Sequence, residues 1–247
     1  MFLHYRTQGL FLKKEDREEA DQLFTIYTKD FGKLEVLGRA IRKITSKLRA
    51  GTEIFYLSEI EFIQGKTYKT LTDAISIEKF ENLRKSLVRL KIAYKISEVF
   101  DNLVRGQEAD EKIWRLLLEV IKILNKPEIS NWKLRIVYYY FFWNLFSLLG
   151  YKPELYFCLS CQKRLRPEKL YFNSRAGGII CQNCFKEIKS GIETKPEIVK
   201  ILREILKQDW KILSRLKVEK FHFDFLRKIS ENYCAQIAEQ TNHEKSF

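Results

Sequence analysis

Apolar and polar positions along this chain change period once. Up to about residue 78 they alternate in twos. Between Thr52 and Ile63, Ile54, Tyr56 and Ser58 alternate with Phe55, Leu57 and Glu59, and Ile60 and Phe62 then alternate with Glu61 and Ile63. That β-branched and aromatic mix predicts a twisted strand. Similar runs occupy Leu10 to Leu12, Gln22 to Thr28 and Lys33 to Val36, and Asp30-Phe31-Gly32 reads as the hairpin connection between the last two. About five short strands in the first 80 residues predict a small barrel. An OB-fold is one such barrel, and its sheet face and loops suit single-stranded nucleic acid; on pattern alone an SH3-like barrel fits nearly as well.

From Ile77 onward the spacing shifts to threes and fours. Leu83, Leu87, Leu90, Tyr94, Ser97 and Val99 predict one helical face, and further helices are expected over Asp110 to Leu124, Trp132 to Leu149, Pro196 to Leu216 and His222 to Glu239. Pro127 and Gly150-Tyr151-Lys152-Pro153 supply stops. The predicted fold class is α+β and multidomain: an N-terminal β-barrel (OB-fold) over 1–80, then an α-helical domain in two parts, 81–156 and 191–247, with a four-cysteine zinc ribbon inserted at 157–190.

The break between the helices holds the sharpest local signal, Cys158-x-x-Cys161 followed after nineteen residues by Cys181-x-x-Cys184. Two such turns brought together offer four soft thiolates, the tetrahedral set that zinc accepts. Four cysteines leave no coordination position for water, so one structural zinc is expected, with Lys163, Arg164, Arg166 and Arg175 offsetting the thiolate charge. Coincidental cysteines or a redox pair are the competing readings. Cys234 has no partner motif and reads as a buried apolar residue.

Composition narrows the function. With 247 residues, 45% hydrophobic and 31% charged, and only 10 Gly and 4 Pro, disordered, collagen-like and repeat classes are excluded. The net charge is +13, and residues 36 to 52 carry Arg39, Arg42, Lys43, Lys47 and Arg49 without an acid. Such a segment on a barrel suits phosphate neutralisation, with Phe55 and Tyr56 as candidate stacking residues. Both can equally be core, since 18 Phe, 12 Tyr and 4 Trp are spread along the chain. The N-terminus has no uninterrupted apolar run of a secretory signal. The uncharged stretch Ile136 to Tyr151 is sixteen residues long, too short to span a bilayer, and reads as a buried core helix; no membrane partner is expected. Three histidines, at 4, 222 and 243, lie without spaced partners, and no phosphate loop or nucleophile elbow occurs, so no enzyme is expected.

Several of these segments together resemble the RecO family of bacterial DNA repair proteins. The likeness runs from Glu19-Ala20-Asp21 through Thr28, Phe31-Gly32-Lys33 and Arg39 to Ser46-Lys47-Leu48-Arg49 and Gly51. It continues in Leu71-Thr72-Asp73-Ala74 and in Leu148-Leu149-Gly150-Tyr151-Lys152-Pro153-Glu154-Leu155 ahead of the first cysteine pair. The resemblance implies a cytoplasmic, nucleoid-associated recombination mediator without catalytic turnover. It implies binding of single- and double-stranded DNA, annealing of complementary strands, docking on the acidic tail of single-stranded DNA-binding protein, and work with RecR in loading RecA. Carried onto this chain, the DNA residues are Arg39, Arg42, Lys43, Lys47 and Arg49, and the zinc ligands are Cys158, Cys161, Cys181 and Cys184. Two features depart from the family. Where an Arg commonly receives the acidic tail, this chain reads Tyr138-Tyr139-Tyr140, leaving Lys133 or Arg135 as substitutes, and the segment Tyr233 to Phe247 lacks the usual basic ending. A scaffold protein with incidental charge and an RNA-binding barrel-and-ribbon protein are the alternatives.

Overall fold

A computed structural model describes residues 3–65 and 67–243. It divides into two compact units, Met1–Tyr138 and Tyr139–Phe247. The segment singled out for its missing basic ending is described as far as His243, and its last four residues lie outside the described part.

In the first unit, five strands close into a barrel: β1 (His4–Arg17), β2 (Asp21–Thr28), β3 (Gly32–Gly38), β4 (Leu57–Gln64) and β5 (Lys69–Glu78), in the order β1-β2-β3-β5-β4. All pairings are antiparallel except β3 with β5, which is parallel and closes the ring. This is the expected OB-like barrel. β1 serves two partners: its later half pairs with β2 and its earlier half with β4, and its register shifts between Phe11 and Lys13. A bulge there lets one long strand bend around the closure. Alternate residues Phe24 and Ile26, Leu34 and Val36, and Ile60 and Phe62 point inward with Phe11 and Leu71 to form the core. The predicted hairpin at Asp30-Phe31-Gly32 is present. Gly32 sits at φ +62, and a Cβ there would stand 2.4 Å from the Glu108 carbonyl oxygen, so only glycine fits.

The strand expected from Thr52 starts later, at Leu57. Residues 52 to 56 form turns instead, with Phe55 in the left-handed region at φ 64, outside the β region, although its amide still donates to the Phe11 carbonyl at 2.8 Å.

Helices α1 (Glu81–Arg84), α2 (Leu87–Leu103) and α3 (Glu111–Asn125) follow. The buried face of α2 is Arg89, Ile92, Ala93, Ile96, Ser97 and Phe100; of the predicted set, Ser97 lies on it and Leu83 is buried on α1, but Leu87 is 75% and Tyr94 52% exposed. Two polar residues lie on this inner face, and both are bonded. Ser97 Oγ donates to the Leu12 carbonyl at 2.8 Å, and Arg89 donates to the carbonyls of Leu124, Lys126 and Pro127. A guanidinium there caps the C-terminal end of α3. Asp110 caps the other end through the amides of Lys112 and Ile113.

Helix α4 (Asn131–Leu148) runs across the boundary between the units, and its run from Phe141 to Phe146 is fully covered, as expected of a core helix. In the second unit, Trp143 and Phe146 pack on Tyr233, and Phe172 meets both Trp143 and Tyr233 edge-on. A three-stranded sheet, β7-β6-β8, is built from β6 (Leu170–Asn173), β7 (Gly178–Cys181) and β8 (Ile192–Thr194), with α5 (Gln182–Ile188) after β7. The single helix expected over 196–216 is two, α6 (Pro196–Ile205) and α7 (Trp210–Leu213). Gln208 takes φ 58 and Asp209 caps a fresh start by accepting from the Ile212 amide at 3.0 Å. The last helix, α8, covers Lys220–His243. Cys234 is half-buried rather than buried, and burial raises its thiol pKa.

Candidate functional site

The five cations predicted to bind DNA lie on the connection between β3 and β4, and all five are exposed. The connection is anchored, not loose. Ile41 is inserted into the barrel core and Leu48 packs against it, which turns the intervening polar side chains outward. The Ala40 amide donates to Asp21 Oδ1 at 2.7 Å and the Arg42 amide to the Ala20 carbonyl at 3.0 Å, tying the first turn to the β1–β2 connection. A 3-10 turn, Lys47–Gly51, then leads back to the sheet, and Ser58 Oγ donates to the Gly51 carbonyl at 2.6 Å. A Cβ on Gly51 would stand 2.1 Å from the Ala74 carbonyl oxygen, so glycine is what lets this turn lie against β5.

Among the described ion pairs, Arg39, Lys43, Lys47 and Arg49 have none, whereas Arg42 approaches Asp16 Oδ2 at 3.6 Å. The segment is acid-free in sequence, but folding brings it carboxylates from the neighbouring hairpin. Arg39 lines a cleft of about 880 Å³ together with Arg17, Asp21, Tyr68 and Thr70. Its walls are the ends of β3 and the β1–β2 and β4–β5 connections, which are the loops that frame ligands on OB barrels. Arg17, which ends β1 and pairs with Glu15 at 3.3 Å, and Tyr68, in the β4–β5 connection, were missed in the sequence; an arginine and an aromatic at the ends of predicted barrel strands were the available signal. Ile44 was also missed. It stands 91% exposed beside Lys43, an apolar side chain turned to solvent.

The outer face of β2 is closed to ligands. Tyr27 is covered, its ring 4.8 Å from Phe100 and 6.2 Å from Trp114, and Lys33 Nζ is bound to Asp101 on α2. Of the two proposed stacking residues, Phe55 is fully buried with its ring against Tyr94, and Tyr56 is half-buried under the Arg84 guanidinium. Phe55 therefore belongs to the core. Lys133 and Arg135 both lie on α4; Lys133 rests over the Trp132 ring and Arg135 is exposed. Two positions apart on a helix, they point to different sides and do not form one pocket.

In the second unit, the four cysteines are brought together: their sulfurs all lie within 4.8 Å of one another. A tetrahedral metal with bonds of about 2.3 Å requires sulfurs roughly 3.8 Å apart, and the Cys161 and Cys181 sulfurs stand at 4.0 Å, so the set fits a four-thiolate metal site. Burial opposes ionisation of Cys158, but the backbone N–H groups of Cys181, Cys161 and Ser160 point at its sulfur and lower its pKa to about 6. Cys184, despite a Ser160 hydrogen bond that favours its thiolate, is pushed up to about 12 by burial and the three neighbouring sulfurs. Four thiols crowded in this way share charge poorly until a cation joins them. Lys163, Arg164 and Arg166 line the cleft beside Cys161, Cys181 and Cys184; Arg175 is in the β6–β7 turn and is not among those lining residues.

These features define a class: an OB-like barrel with a cationic loop end, followed by helices that carry a four-cysteine ribbon. The family models match accordingly. Recombination protein O N terminal covers residues 1–80 and Recombination protein O C terminal covers residues 84–246. The chain is similar to DNA repair protein RecO of Dehalococcoides mccartyi, 30% identical over 216 residues, which is 87% of this chain and 83% of that protein. DNA repair protein RecO of Moorella thermoacetica is 30% identical over 87% of the chain and 79% of its own length, and that of Acetivibrio thermocellus is 26% identical over 99% and 96%. The chain belongs to the RecO family. Among the described residues, no helix is long and apolar enough to cross a membrane.

Proposed function

We propose that this chain is a mediator of DNA repair and recombination that binds single- and double-stranded DNA at the loop end of its barrel and anneals complementary strands. The observation that carries this reading is the anchored loop of Arg39, Lys43, Lys47 and Arg49, exposed and without ion pairs among the described residues. Cations held in place by Ile41 and Leu48 neutralise phosphates without first having to be ordered. With the outer face of β2 covered by helices, the strand runs across the cleft at Arg39 and Arg17, where Tyr68 offers a ring to a base and Ile44 an apolar edge. A strand gripped by its backbone keeps its base-pairing edges free, which is what annealing needs.

The ribbon holds one structural zinc on Cys158, Cys161, Cys181 and Cys184. Zinc supplies four bonds in place of a core, and no water position remains for catalysis. The working partners are single-stranded DNA-binding protein, whose acidic tail meets Lys133 or Arg135, and RecR, with RecA loaded as the outcome, at the nucleoid. Functional domains follow the limits 1–80, 81–156, 157–190 and 191–247.

The test is fluorescence anisotropy with labelled single-stranded DNA over a salt series. Native protein should lose affinity with a log–log slope of about −0.7 per phosphate contact, and Arg39→Glu with Lys43→Glu should flatten it by about 1.4. No DNA affinity at low salt, or preference for matched RNA, would overturn the reading.

A further inference from the structure

The ribbon has more positive charge than its metal site needs. Residues 157–190 carry seven Lys and Arg against Glu168 and Glu187; four thiolates on one divalent ion add two negative charges, and an excess of three positive charges is left. Lys163, Arg164 and Arg166 are exposed, line one cleft of about 660 Å³, and enter none of the described ion pairs.

Geometry adds an aromatic. Phe157 and Arg164 face each other across an antiparallel bridge, which places both side chains on the same side of the turn. Phe157 is 45% exposed, unusual for a phenylalanine in a segment this rigid. The turn is pinned on both strands. Glu154 Oε1 accepts from the amides of Tyr156 at 2.7 Å and Phe157 at 3.0 Å, the Cys158 amide donates to the Lys163 carbonyl at 2.9 Å, and the Leu165 amide to the Tyr156 carbonyl at 2.9 Å. A fixed ring beside a guanidinium that has no ion pair among the described residues offers a π-face to a base and a fork to the neighbouring phosphate. An acidic peptide would use the cations but has no need of the ring.

We propose that this face of the ribbon is a second nucleic-acid site, distinct from the barrel loop, that takes the backbone of a second strand through Lys163, Arg164 and Arg166 and stacks a base on Phe157. It rests on the annealing function proposed above, because bringing two strands together calls for two grips. The metal acts here only by holding the turn.

The full-length, zinc-loaded protein, tethered at single-molecule density, is offered oligothymidylate strands in two colours, which cannot pair with each other. Native molecules should hold both colours at once. Lys163→Glu with Arg164→Glu should keep one zinc and one strand but lower two-colour occupancy about tenfold or more. Phe157→Ala, which removes no cation and no cysteine, should lower it about fivefold. Native protein that holds a single strand, or ribbon variants that hold two as well as native protein, would overturn the second site alone. Native protein that holds none would instead remove the annealing function, and loss of acidic-peptide binding with two-strand occupancy intact would reassign the face to a protein partner.

Discussion

The barrel and the ribbon both join short strands, but they are held by different means. Barrel strands are 7 to 14 residues long and enclose fully covered apolar side chains such as Phe11, Phe24, Ile26 and Ile60. Ribbon strands are 3 or 4 residues long, and beside them sit four thiols, one of them exposed. A closed hydrophobic core is a property of the sequence alone. A cluster of four thiols needs a cation to hold it as thiolates, so on the proposed zinc the second architecture is conditional on a metal. Both present cations to solvent on anchored turns, and the barrel achieves this with Ile41 and Leu48 where the ribbon uses cysteine.

Barrel and ribbon should part most clearly when the metal is withdrawn. With zinc on the four cysteines as proposed, its removal, or Cys158→Ser, should withdraw binding energy that is folding energy for a ribbon, on the order of 10 kcal/mol in small zinc peptides. Hydrogen exchange should then show Leu170–Asn173 and Gly178–Cys181 losing protection while β2 keeps it. Equal loss in both regions would show the barrel to be conditional as well.

The reciprocal change is Phe24→Ala, which opens a cavity in the barrel and should cost about 3 to 5 kcal/mol in denaturant unfolding. Zinc content measured on the folded fraction should stay at one per chain.

A smaller effect concerns the unit that holds the ribbon. Tyr233 donates to the Tyr151 carbonyl at 2.9 Å, and burial pushes its pKa up to about 12. The folded protein therefore keeps this proton to about 12, while the unfolded chain gives it up near the ordinary 10. Its contribution is complete below pH 10 and is lost as pH rises from 10 to 12, roughly 2 to 3 kcal/mol at the top of that window. Alkaline unfolding followed by near-ultraviolet absorbance should show this slope, and Tyr233→Phe should remove it.

The smallest effect lies within the barrel loop. Arg42 is partly neutralised by Asp16 and Lys43 is not. Lys43→Gln should weaken single-stranded DNA binding by about threefold at low salt and Arg42→Gln by less, a difference that Asp16→Asn should erase by raising the contribution of Arg42. Anisotropy titrations on the three variants decide it.

What could be read from the sequence follows the range of the interactions involved. Period-two runs such as Leu34 to Val36, the Asp30-Phe31-Gly32 turn and the paired Cys-x-x-Cys spacings are local chemistry, and each is found in the fold. On α2 the spacing finds Ser97 but not the rest of the inner face, because Arg89 is buried there against carbonyls supplied from far along the chain, while Leu87 and Tyr94 stay outside. Phe55 reads as a strand aromatic, yet its positive φ makes it a turn residue facing Tyr94. The cleft joins Arg17, Arg39 and Tyr68 only through barrel closure, which pairs β3 with β5, and no spacing rule reports that. The covered face of β2 likewise depends on where α2 and α3 pack.

On the function proposed, the anchored loop at the end of the barrel makes this chain a strand-annealing mediator. The most direct measurement is the rate at which it anneals complementary DNA strands already coated with single-stranded DNA-binding protein, beside a variant with Arg39→Glu, Arg42→Glu and Lys43→Glu. The expected result is acceleration by the native protein and its loss in a variant that remains folded and zinc-loaded. Absence of acceleration by native protein, or full acceleration by the variant, would contradict it.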